Sequence, residues 1–269
     1  MASVPPQAST FHLRAPQNRT EYLVFVEAPD AAAEPGPWPA VLWLDGDDQF
    51  RFAVRAYRAA RRAGTVPPLL LVGIGYGASY TRPGNRRNRD YTPTAMKGEP
   101  ETGGADDFLE FLTGPLWHEL AGRYPLNEDV RALAGHSLGA LLVLHALFQR
   151  APFFNRLLAS APALWFDERV VLHHAAKLRA KVKKLAARLF LAVGAGDSPS
   201  MLEDLRALER QLAAEPFRGL EITSRQFAGR GHHDAIIAAF REGLPALFAP
   251  GEEPPAPAGG RKPARRRAG

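Results

Sequence analysis

The chain has 269 residues, 46% of them hydrophobic, which suits one domain with a sizeable buried core. It has no cysteine, which excludes disulfides and thiolate metal sites, and no apolar run long enough to span a bilayer. Net charge is +6, and half of that excess lies in the last twenty residues, PGEEPPAPAGGRKPARRRAG, which hold five basic and two acidic side chains. Pro, Gly and Arg dominate there and little can pack, so residues 250–269 read as a disordered basic tail and residues 1–249 as the domain. Such a tail touches nucleic acid weakly at most; a solubilising role is the simpler reading, and neither a specific nucleic-acid partner nor a membrane is expected. The opening MASVPPQASTFHLRAPQ has no basic region followed by an apolar block, so no signal peptide and a cytoplasmic location are expected.

In chain order, STFHLR and EYLVFVEAP read as two strands joined by a polar turn. PAVLWLDG is a short apolar strand ending in Asp-Gly, and DQFRFAVRAYRAARRAG follows with helical spacing. PPLLLVGIGYG is another buried strand. Residues 75–104 form a long loop rich in Gly, Pro and Arg, and loops of that length in compact domains are more often functional than idle. The helix ADDFLEFLTGPLWHELAGRY, with a kink at Pro115, leads to the strand DVRALAG. The remainder alternates strictly: a helix to about Gln149, the strand RLLASAP, the helix ERVVLHHAAKLRAKVKKLAA, the strand RLFLAVGAG, the helix SMLEDLRALERQLAA, the strand GLEITSRQFAG and the helix HDAIIAAFREGLPALF. This pattern predicts an α/β fold: a mainly parallel sheet, helices on both faces, and an antiparallel N-terminal hairpin at one edge.

Gly135-His136-Ser137-Leu138-Gly139 matches G-x-S-x-G between a strand and a helix, the context of a nucleophile elbow. Flanking glycines admit the tight turn that exposes the serine hydroxyl; a helix N-cap serine is the plainer alternative. A serine nucleophile needs a base, and the base an orienting acid, in the chain order Ser, acid, His for this fold. Of the eight histidines, His232 and His233 follow the last strand, and His232, after Gly-Arg-Gly, suits a loop-borne base. His233 reads as a first-turn helix residue, and His136, inside the elbow, is expected to point away from the nucleophile. Asp197 follows the next-to-last strand, with Glu203 and Asp204 as rivals on the next helix. The oxyanion needs two backbone N–H donors: Leu138, after the nucleophile, and Gly46 or Asp47 in WLDGDDQ. Gly46 is expected to let the backbone approach the substrate.

Taken together, VLWLDGDDQF, LLLVGIGYG with RNRDYTPT, GGADDFLEFL, AGHSLGALLVLHALF, ASAPALWFDE and FAGRGHHDA resemble the "Putative esterase" family of α/β-hydrolases, and within it the enterochelin (siderophore) esterase-like hydrolases. The resemblance runs from about residue 10 to 248. It implies the α/β-hydrolase fold and carboxylic ester hydrolysis without cofactor or metal, with the nucleophile on Ser137 and the base on His232. Asp197 fits the esterase-D-like pattern, although relatives vary at the acid. Typical siderophore esterases carry a bulkier aromatic pair where this chain has Leu-Trp-Phe around Trp165. The family also holds feruloyl and acetylxylan esterases, S-formylglutathione hydrolases and mycolyl transferases, so the substrate does not transfer.

Arg86, Arg87, Arg89 and Tyr91 in the long loop, with Trp165, are the expected substrate contacts, because arginines with aromatics suit an anionic, ring-bearing ester. The plainer reading is a solvated loop whose charges pair internally. Three functions follow: a serine esterase on a small-molecule ester, an acyltransferase using the same acyl-enzyme, or a non-catalytic binding protein on this fold. Oligomeric state is not legible.

Overall fold

The computed structural model describes residues 8–249. Strands β1 (Ala8–Arg14) and β2 (Glu21–Glu27) pair antiparallel, and on β2 the alternating Tyr22, Val24 and Val26 are buried, the period-2 signature of a strand with one covered face. The other strands are β3 (Trp38–Trp43), β4 (Leu70–Gly75), β5 (Leu126–His136), β6 (Arg156–Ser160), β7 (Lys184–Gly194) and β8 (Arg218–Phe227). They join one eight-stranded sheet in the order β1-β2-β4-β3-β5-β6-β7-β8. β2 meets β4 antiparallel, and every pair from β4 to β8 is parallel. β4 and β6 are buried at every residue, as strands covered on both faces are. The far edge, β8, is mostly exposed and carries Arg218, Glu221 and Arg225, charges that discourage edge-to-edge pairing.

Helices α1 (Gly46–Arg62) and α8 (His232–Phe248) cover one face. Phe50, Ala53, Ala56, Tyr57 and Ala60 recur on α1 at intervals of three and four, which gives it one apolar stripe. Trp43 and Phe240 meet edge to face at 4.4 Å beneath these helices. The other face carries α3 (Ala105–Phe111), α4 (Trp117–Arg123), α5 (Leu138–Leu147), α6 (Val170–Lys181) and α7 (Pro199–Ala214). A four-residue helix, α2 (Arg87–Asp90), sits within the long loop.

Two expectations shift. The helix predicted over 105–124 is interrupted by a π-helical turn, Leu112–Leu116, containing Pro115; proline has no N–H to donate, and the ladder skips a residue there. The helix predicted over 168–187 stops at Lys181, and Lys184 already belongs to β7. Lys184 and Ala187 pair with Arg218 and Leu220 of β8, so sheet pairing overrides the helical preference of Lys-Leu-Ala-Ala.

Because β3, β5, β7 and β8 run parallel, their carboxyl ends share one edge, where open α/β sheets bind ligands. Ser137, Asp197, His232 and Gly46 all follow these ends. The predicted tail, 250–269, lies outside the described residues. Among the described residues no helix is long and apolar enough to cross a membrane.

Candidate active site

Ser137 joins β5 to α5 with φ 58° and ψ −118°, a conformation that L side chains rarely adopt and that costs about 1–3 kcal/mol. The turn is held from three sides. Ser137 N–H donates to the Ser160 carbonyl at 2.9 Å, and the Ser137 carbonyl accepts from Leu141 and Ala163, both at 3.1 Å. A Cβ on Gly135 would sit 2.6 Å from the Gly139 carbonyl carbon, so this position admits glycine alone without movement. The serine side chain caps nothing: α5 has no side-chain cap hydrogen bond, which sets aside the N-cap alternative.

Asp197 and His232 stand 35 residues apart in sequence and meet in space, His232 Nδ1 lying 2.9 Å from Asp197 Oδ1. Their two loops interlock. Gly196 N–H donates to the Arg230 carbonyl at 2.8 Å, and a Cβ on Gly194 would collide with that same carbonyl oxygen. Asp197 is 8% exposed, and its Oδ2 is buried without a partner among the described residues, so the carboxylate is committed to the imidazole. His232 is the first residue of α8 rather than loop-borne, and His233 takes the second place in that helix. The rival acids are engaged elsewhere: Glu203 pairs with Arg210, and buried Asp204 with Arg169, each at 2.6 Å.

His136 also joins this arrangement. It is buried and its ring packs on the His232 ring with centroids 4.6 Å apart. Its Nδ1 lies 3.0 Å from Ser160 Oγ, and its Nε2 is buried with no partner among the described residues. Burial, reinforced by the charges of His232 and Arg87, pushes its pKa down to about 3, so it is neutral at ordinary pH. Strand register sets the Ser160 contact, since His136 is paired with Ser160 on β6.

Gly46 and Leu138 open α1 and α5, so neither amide has a carbonyl one turn earlier to bond, and Asp47 is in the same first turn of α1. Asp45, the N-cap of α1, sits at φ 55°, ψ 45° and makes no side-chain cap hydrogen bond. Gly46 itself presses on β4: an added Cβ would lie 2.9 Å from the Ile74 backbone. Helix-on-sheet packing by itself therefore demands glycine at this position. The Asp47 carboxylate accepts from the Tyr76 and Gly77 amides, at 2.6 and 3.1 Å, and anchors the start of the long loop.

The Asp45 carboxylate, 1% exposed, receives Arg87 in a bidentate pair, Nε to Oδ1 at 2.8 Å and Nη2 to Oδ2 at 3.0 Å. Gln49 Nε2 adds a third bond at 3.1 Å, and Asp45 N–H donates to the Tyr91 hydroxyl at 3.0 Å. Burial raises the Asp45 pKa, and the Arg87 charge opposes that rise. The pair also abuts the elbow, because a Cβ on Gly139 would lie 3.4 Å from Asp45 Oδ2. Thus the long loop is locked onto the turn that presents Gly46 and Asp47.

This geometry redistributes the residues expected to touch substrate. Tyr91 is completely buried and belongs to the Asp45 network. Arg89 bonds Asp90 at 2.7 Å and Thr20 at 2.8 Å, and Arg86 pairs with Glu101. Arg87 is mostly spent on Asp45, with the Tyr80 ring 5.2 Å from its guanidinium carbon. The loop charges are therefore largely paired internally, the plainer of the two readings. Trp165 is the exception: it is 54% exposed, two residues past the Ala163 amide that bonds the Ser137 carbonyl. Its turn continues through Asp167, Glu168 and Arg169, three consecutive residues at positive φ, fastened by Thr94 Oγ1 on Asp167 and by the Arg169–Asp204 pair.

The family model described as "Putative esterase" matches residues 17–247. The chain belongs to this family. It is 28% identical over 234 residues to the ferri-bacillibactin esterase BesA of Bacillus subtilis, covering 80% of each chain. It is 34% identical over 190 residues to the siderophore triacetylfusarinine C esterase of Aspergillus fumigatus, covering 67% of this chain and 64% of that one. Among solved structures, the BES protein from Bacillus cereus superposes with a TM-score of 0.81 at 23% identity, over 92% of this chain and 97% of that one, and has the same fold. The α/β-hydrolase fold expected from the sequence is thus shown, and the protein is a carboxylic ester hydrolase.

Proposed function

We propose that this esterase hydrolyses siderophore-type esters through an acyl-enzyme on Ser137. The observation that carries the mechanism is the strained Ser137 on the same carboxyl edge of the sheet as a His232 whose Nδ1 is bonded to buried Asp197. With Nδ1 held by the carboxylate, Nε2 is left to take the serine proton, and Asp197 stabilises the imidazolium that forms. Ser137 Oγ attacks the ester carbonyl carbon. The oxygen gathers negative charge and is held by the amides of Leu138 and of Gly46 or Asp47, at the positive ends of α5 and α1. Collapse expels the alcohol, which takes the proton from His232. Water, deprotonated by His232, then attacks the acyl carbonyl, and the carboxylic acid leaves with Ser137 restored. Neutral His136 lies along the base without adding charge beside the imidazolium.

The substrate class rests on the relatives, whose names specify ferri-bacillibactin and triacetylfusarinine C. Exposed Trp165 beside the nucleophile turn supports an aromatic or otherwise flat contact there. The test is a panel containing a catecholate trilactone, a hydroxamate siderophore ester, p-nitrophenyl butyrate and p-nitrophenyl acetate, with wild type and Ser137→Ala side by side. The reading expects a trilactone or hydroxamate ester to exceed the nitrophenyl esters in kcat/KM, and Ser137→Ala to lose at least about a thousandfold on all of them. Preference for the short acyl esters alone would overturn the substrate class. Undiminished activity of Ser137→Ala would overturn the nucleophile. Adding an alcohol acceptor and analysing the products separates hydrolysis from acyl transfer.

A further inference from the structure

A second cluster of titratable groups lies outside the ester site. Between α5, α6 and the start of α3 is a cavity of about 320 Å3, in the lower range for small-molecule sites. It opens at the far end of α5: His145 and Phe148 line it, 8 and 11 residues beyond Ser137, roughly 12–17 Å along a helix. Its floor is a bonded chain. Asp106 Oδ1 lies 2.8 Å from His145 Nε2, and His145 Nδ1 lies 3.2 Å from His174 Nδ1. One ring must donate across that last contact and the other accept, so the three groups are fixed relative to one another.

Around this floor stand Lys177, Lys181 and Arg150, none with an ion-pair partner among the described residues. The acid at hand, Asp106, is engaged by His145. His174, Lys177 and Lys181 are spaced three and four apart on α6 and share one face. Like charges at i and i+4 repel, and an anion placed between them converts that repulsion into attraction. Phe148, Leu178 and Pro93 give the cavity an apolar side, with the Gln149 amide beside it. Three unpartnered cations and an apolar side, in a space larger than an inorganic ion needs, suit a charged head on an apolar body.

We infer that this cavity binds a small organic carboxylate, its anionic end at Lys177, Lys181 and Arg150 and its body against Phe148 and Leu178, at a site separate from Ser137. Calorimetric titration of the full chain with sodium benzoate tests this, with benzyl alcohol as the neutral counterpart and inorganic phosphate as the bare anion, at constant ionic strength. The expected result is saturable benzoate binding with the same Kd in wild type and Ser137→Ala. Benzyl alcohol and phosphate should each bind at least about tenfold more weakly, and the exposed pair Lys177→Glu/Lys181→Glu should weaken benzoate by about tenfold or more. That variant should hydrolyse p-nitrophenyl butyrate within about twofold of wild type, which separates this site from the ester chemistry. No saturable benzoate binding, or binding indifferent to the two charge reversals, would overturn the inference. So would phosphate binding as tightly as benzoate, or loss of benzoate binding once Ser137 carries a fluorophosphonate.

Discussion

Arg87→Ala would leave the Asp45 carboxylate buried without its cation. Asp45 is 1% exposed and keeps the Gln49 amide at 3.1 Å, so the loss should fall near the lower end of the range for breaking a buried ion pair, about 3 kcal/mol out of 3–5. In a domain of this size that corresponds to a Tm roughly 6–12 °C lower, readable by circular dichroism. The pH dependence carries the sign of the argument. Burial already raises the Asp45 pKa, and removing Arg87 raises it further. A carboxyl whose folded pKa lies above its unfolded value takes up its proton more readily when folded. Its penalty is therefore present at higher pH and is relieved as pH falls through the folded value. The Arg87→Ala deficit should thus be largest near about pH 8 and shrink toward acid. Adding Asp45→Asn should recover part of it, because the stranded charge is gone. A deficit below about 1 kcal/mol, one that is flat with pH, or a double variant no better than the single would refute the reasoning.

Asp197→Asn should lower kcat by about a hundred- to ten-thousandfold with KM little changed, measured on p-nitrophenyl butyrate, because the imidazole loses its orienting charge. Gly135→Ala should destabilise more than Gly139→Ala in urea titrations, since an added Cβ meets backbone at 2.6 Å in the first case and the Asp45 carboxylate at 3.4 Å in the second. His136, held near pKa 3 by burial, makes the folded state resist protonation that the unfolded chain accepts below about 6.5. Stability due to this group is therefore lost as pH falls from about 6.5 to 3. His136→Phe should flatten that acid limb by up to a few kcal/mol in urea titrations at graded pH.

Much of this arrangement was legible because it follows from order along the chain. Strand–helix alternation implies parallel strands, parallel strands share a carboxyl edge, and Ser137, Asp197 and His232 each follow a strand end. What escaped depends on side-chain partners across loops. Arg87 and Arg89 read alike in RNRDY, yet one crosses 42 residues to Asp45 and the other takes its neighbour Asp90. Tyr91, in the same run, is turned inward to receive the Asp45 amide. His136 could be placed in the elbow but not against His232, because that contact needs the α8 N-terminus brought to β5 by the sheet. Gly46 was correctly singled out as a position needing glycine, but the neighbour that demands it is the Ile74 backbone, invisible until β3 and β4 pair. Lys184–Ala187 has helical composition and becomes strand through tertiary pairing with β8.

The central claim is that Ser137 is the nucleophile and that His232 activates it. Fluorophosphonate labelling followed by peptide mass spectrometry tests it most directly, comparing wild type with His232→Ala at equal fold as judged by circular dichroism. The account predicts one adduct, on the peptide carrying Ser137, and a labelling rate at least about a hundredfold slower in His232→Ala. An adduct on another residue, or equal labelling rates in the two proteins, would contradict it.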